Sequence, residues 1–108
     1  MTLPQDADQT AEMEALAAQY PPAIVNKVAE IRATKEKIGT LQEEVTRLRT
    51  QLGEFSRDQP EYNDVAVRIT AVVNQVTALG ESREVCKAEL DNLLQRYHLP
   101  AAGVKKLL

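Results

Sequence analysis

Apolar residues recur at heptad spacing in two long stretches of this chain, separated by one short break. In the first, Ile24, Ile31, Ile38, Val45 and Leu52 hold one repeat position, and Lys27, Thr34, Leu41, Leu48 and Phe55 hold the other. In the second, Tyr62, Ile69, Val76, Arg83, Leu90 and Tyr97 hold one position, and Val65, Val72, Leu79, Cys86 and Leu93 hold the other. Such a period gathers these side chains into one seam per helix, which a neighbouring helix can cover. The pattern predicts an all-α chain built on a long helical hairpin over residues 22–98. Its helices cover 22–55 and 59–98, and its turn 56–58.

The ends of these helices are marked chemically. Pro22 suits a first helical turn, where its missing amide costs little, and Pro100 stops the second helix. Asp58 as N-cap, with Gln59, Pro60 and Glu61 following, reads as a capping box. Two helices of similar length joined by a short turn run antiparallel. Facing seam positions then add to 117, which sets Ile31 against Cys86, Ile38 against Leu79, Val45 against Val72 and Leu48 against Ile69.

The flanks are weaker. Residues 1–21 read as a polar, flexible start (1–9) and a short helix over Thr10–Tyr20, with Asp8 or Thr10 as cap. Met13, Leu16, Ala17 and Tyr20 share one of its faces. Residues 99–108 form a short tail whose Val104, Leu107 and Leu108 are apolar. That tail suits a docking peptide, a membrane-surface contact or a fold back over Leu93 and Leu94.

One seam per helix is thin cover for a hairpin standing alone. Val28, Val67, Val73, Val85 and Leu94 lie outside it and widen the apolar stripe. Either the N-terminal helix covers them or a second copy does. The expectation is the second copy, giving a homodimeric four-helix bundle, since small helical domains gain missing core by association.

Composition supports this picture. The 108 residues suit a single domain, and aromatic content is only 4% with no Trp, which aliphatic seams tolerate. The net charge of −3 gives no general pull toward nucleic acid or anionic membrane. Residues 1–22 carry four acids and no base, 23–57 net +2 and 58–97 net −3, so the two long helices have opposite sign. One cysteine excludes an internal disulfide framework. No leader peptide or membrane-length apolar run is read, and a cytoplasmic location is expected.

Candidate chemistry is sparse. Thr34 and Arg83 face each other in the seam, where a polar layer fixes register or meets a partner. Glu30 or Glu36 is the expected mate of the guanidinium. Gly39 and Gly80 lie at nearly the same height, which suggests a close helix approach, a bend or room for another chain. Isolated helical glycines are tolerated, so the pair alone carries no site. Cys86 reads as a small buried hydrophobe, and His98 as a charged cap on a helix C-terminus. Arg32, Lys35, Lys37, Arg47 and Arg49 form a modest basic face, interleaved with Glu30, Glu36, Glu43 and Glu44 and lacking stacking aromatics. No phosphate loop, nucleophile elbow or metal-ligand spacing occurs, so no catalysis, metal or cofactor is expected.

The expectation is therefore a non-enzymatic coiled-coil interaction protein, acting as spacer, adaptor, assembly chaperone or scaffold through helix–helix contacts. Its partners are a second copy and another protein; nucleic acid and membrane are not expected. The alternatives are a helical dimer that binds nucleic acid, and an acidic inhibitor or mimic that occupies a basic groove. Thr34, Arg83, Gly39, Gly80, Val28, Val67, Val73, Val85 and Leu94 are the candidate contact or specificity residues.

Overall fold

The computed structural model describes the backbone of residues 4–108 and side chains from Ala11 onward. Its elements in chain order are α1 (Pro4–Gln19), α2 (Pro22–Leu52), α3 (Pro60–Arg96) and α4 (Ala102–Lys105). Among the described residues there is no strand, and α2 and α3 pack against each other as a hairpin. At ~1.5 Å per residue these two helices run roughly 46 and 55 Å.

Each helix end has a local cause. The Pro21 carbonyl accepts from the amides of both Ile24 and Val25, at 3.0 and 3.1 Å, so Pro21 starts α2 with Pro22 as its first helical residue. α2 closes at Leu52 rather than Phe55. Its last turn tightens, with Glu54 and Phe55 amides donating three residues back to Gln51 and Leu52. The connection to α3 is correspondingly longer than expected. The residue before α3 is Gln59, not Asp58. The Gln59 side chain does not cap α3; its Oε1 accepts from the Ser56 amide at 2.7 Å and closes the turn on itself.

α3 ends at Arg96 in a Schellman motif. The Leu99 amide donates to the Leu94 carbonyl at 2.9 Å, and the His98 amide to that of Gln95 at 3.1 Å. His98 takes the left-handed conformation (φ 56°) that this motif requires. The backbone of His98 thus takes part in closing the helix. Tyr97, the last expected seam residue, lies beyond the helix and is 46% exposed.

α1 begins at Pro4, so most of the expected flexible start is helical, and Asp8 and Thr10 lie inside the helix instead of capping it. Proline suits a first helical position. Residues 1–3 of that start lie outside the described residues.

The chain divides into two units, 1–33 with 84–108, and 34–83. The first holds a dense core of Leu16, Ile24, Val28, Ile31, Cys86, Leu90, Leu94 and Val104, all buried. Met13 and Tyr20 from the N-terminal region, and Leu99, Leu107 and Leu108 from the tail, pack on it. Val28 and Leu94, expected to await a second copy, are covered by the chain's own termini. Ala17, expected on the packed face of α1, is exposed. The tail folds back, with Val104 fully enclosed.

The second unit is the hairpin segment alone. Val45, Leu48 and Val65 are buried, whereas Ile38, Leu41, Leu52, Phe55, Tyr62, Ile69, Val72, Val76 and Leu79 are half-buried. The seam positions are those read from the sequence. With two helices and no third, most of the seam stays partly in water.

Candidate interaction surface

In the unit formed by 1–33 and 84–108, the polar groups close on one another. Lys27 Nζ donates to Glu89 Oε2 at 2.9 Å and to Glu30 Oε2 at 3.1 Å, while its aliphatic stem lies along the seam. Cys86 Sγ donates to Glu30 Oε1 at 3.5 Å. The hydrogen bond to Glu89, then that to Glu30, holds the Lys27 ammonium above its ordinary value. Lys27, and secondarily the thiol, hold the Glu30 carboxyl below the ordinary carboxylate value. Burial, reinforced by the Glu30 carboxylate, pushes the Cys86 thiol up. A thiol kept protonated in this way is a poor nucleophile, which matches its reading as a small core residue. Among the described residues no group of acidic, histidine and cysteine side chains is arranged to hold a metal ion.

Arg32 belongs to the same unit. Its Nη1 donates to Glu12 Oε2 at 3.2 Å and rests 3.8 Å from Met13 Sδ, which seats α1 on α2. The remaining expected basic residues do not collect on one face. At about 100° per residue, Lys37 falls on the side of α2 shared with Glu44, and Arg47 on that shared with Glu43. Only Lys35 and Arg49 share a side of α2 with no acid.

The unit 34–83 holds both residues of the expected polar layer. Thr34 and Arg83 are both half-buried, and Arg83 Nε is enclosed with no hydrogen-bond partner among the described residues. Glu36, one of its two expected mates, is exposed. Gly39 and Gly80 do not mark a close approach of the two helices. Among the described residues, a Cβ added at either meets nothing within 4 Å, so each leaves open space there.

Heptad reading alone misses the most unusual surface of this unit. From Ile69 to Gly80, α3 has no charged residue, although 27% of the chain is charged. No other run within α2 or α3 approaches this length. The seam side chains Ile69, Val72, Val76 and Leu79 are half-buried, but Thr70, Ala71, Val73, Thr77 and Ala78 are exposed. Ala66, Thr70, Val73, Thr77 and Gly80 follow one helical row, and all are small or aliphatic. The Thr70 and Thr77 hydroxyls are engaged by their own helix, donating to the Ala66 and Val73 carbonyls at 3.1 Å, so they make little demand on water. The signal was available as a charge gap rather than as a period.

Beside this row is a groove of about 310 Å³ between α2 and α3, walled by Val45, Thr46, Val73, Val76 and Thr77. Among the described residues its only charged lining side chain is Arg49. Val67, on another side of α3, is 61% exposed, and Val85, in the first unit, is 58% exposed. Neither has an apolar companion row of this kind. No helix of the described residues is long and apolar enough to cross a membrane.

Comparison with protein-family models, curated proteins and solved structures finds no match to this chain.

Proposed function

We propose that this chain is a non-enzymatic interaction module of the cytoplasm, a spacer, adaptor, assembly chaperone or scaffold, and that the uncharged row on α3 is its contact surface. The observation that carries this reading is the row itself. Exposed helix surfaces of water-facing proteins are normally charged, whereas depletion of charge is the compositional mark of an interface centre. The half-buried seam beneath the row adds apolar area that a docked helix would finish covering. The protonated, enclosed Cys86 and the self-contained Lys27–Glu30–Glu89 cluster support a role without chemistry.

A photo-reactive amino acid tests this when placed at Thr70 or Thr77 and, as control, at Val67. Irradiation in the native cell is expected to give discrete adducts from the first two positions and none from the third. Adducts of equal yield from all three, or from none, overturn the reading.

The exposed Val73 also favours a second reading, a homodimer that closes a four-helix bundle over this row. It predicts a mass in light scattering of twice the 12.0 kDa chain.

A further inference from the structure

We infer that the groove between α2 and α3 in residues 34–83 takes an acidic amphipathic helix from another protein, with aliphatic side chains entering between Val45, Val73 and Val76 and a carboxylate meeting Arg49. The inference rests on the proposed contact row and names its partner.

Charge decides the occupant. The groove offers aliphatic walls, hydroxyls already engaged by their own helices, and one cation. Among the described residues that cation is the exposed Arg49, and α3 contributes no charge from Ile69 to Gly80. A second copy docked face to face would bring another groove whose one charged lining side chain among the described residues is Arg49, with no carboxylate to meet it. A basic helix would meet Arg49 with like charge. A helix with an aliphatic stripe flanked by glutamate or aspartate satisfies both the walls and the guanidinium, and such complementarity sets partner choice and register more than raw affinity. The open space at Gly80, at the end of the row, leaves room for a close-lying helix.

The chain contains a worked example of the same chemistry. α1 seats on α2 through Met13 and Leu16, and Glu12 pairs with Arg32 at 3.2 Å beside the Met13 sulfur. An apolar stripe and an acid thus meet an arginine here on a helix that the chain itself tethers.

The test uses the full chain labelled with ¹⁵N and two stapled helical peptides that share a leucine stripe. One peptide carries glutamate on its flanks and the other lysine. The acidic peptide is expected to shift the amides of Val45, Thr70, Val73 and Thr77, and to bind roughly tenfold tighter than the basic one at low salt. Arg49→Glu, at an exposed position, is expected to reverse that order without loss of fold. Equal or tighter binding of the basic peptide, an order unchanged by Arg49→Glu, or shifts located elsewhere overturns the inference. So does a concentration-dependent doubling of mass that Val73→Lys abolishes, since a second copy then fills the groove. In the basic-peptide and second-copy outcomes the contact row still stands as an interface and only its acidic partner is lost. If neither peptide nor a second copy touches the row, the interaction reading falls as well.

Discussion

His98 and Cys86 show what single residues contribute here. The left-handed backbone at His98 satisfies the last carbonyls of α3 and turns the chain so that Leu99 packs on the core beside buried Leu94. A non-glycine residue in that conformation carries a cost of about 1 kcal/mol, which a glycine avoids. His98→Gly is accordingly expected to stabilise the protein by about 0.5–1 kcal/mol after allowing for the extra freedom of the unfolded chain, as read from the denaturation midpoint at unchanged slope. A loss of stability would mean that the imidazole holds the turn by contacts of its own. Proline spacing gave the approximate end of α3, but no residue type marked 98 as left-handed, because the motif usually announces itself with glycine. Cys86 was legible as a core residue from its seam position. Its hydrogen bond to Glu30 was not, because Glu30 lies off the seam and its reach depends on side-chain conformation.

At the scale of the elements, heptad periodicity placed α2 and α3 and nearly every residue of their shared seam. Local chemistry was read less well. Gln59 closes the turn where a capping box at Asp58 was expected, since several side chains in 56–61 can satisfy the same amides. Periodicity also says which residues seek cover without saying what covers them. Val28 and Leu94 wait for an apolar neighbour in any reading, and α1 with the tail supplies it. The glycines of the hairpin give the clearest test at this scale. Among the described residues, neither Gly39 nor Gly80 has a neighbour that a methyl group would strike. Gly39→Ala and Gly80→Ala are each expected to stabilise the free protein by about 1 kcal/mol, additively, in thermal or denaturant unfolding. Gly80→Ala, which lies on the contact row, is expected in addition to weaken crosslinking from Thr77 in the cell. A variant that gains stability and keeps full crosslinking would show that the open space at Gly80 is not used by a partner.

Across the whole molecule, burial is unevenly shared. Every fully enclosed large side chain, from Ile24 and Val28 to Leu90, Leu94 and Val104, belongs to the unit that contains both ends of the chain. The segment 34–83 relies on a half-covered seam. Local opening should follow that division, because amide protection rises with the apolar surface that opening would expose to water. Hydrogen exchange is expected to be about tenfold or more slower at residues 24–31 and 86–94 than at 38–48 and 65–79, with the difference shrinking when a partner occupies the α3 row. Uniform protection in the isolated chain at low concentration would contradict the division.

The first unit is discontinuous in sequence. Residues 34–83 leave it along α2 and return along α3, so they form an insertion whose length the remainder does not sense. Removing Ile38–Glu44 together with Val73–Leu79 would excise one matched repeat from each helix and rejoin like positions on both sides. Paired deletions of seven residues should therefore leave the core of the first unit intact and the seam continuous, whereas a deletion of another length, or in one helix alone, would put seam residues out of register.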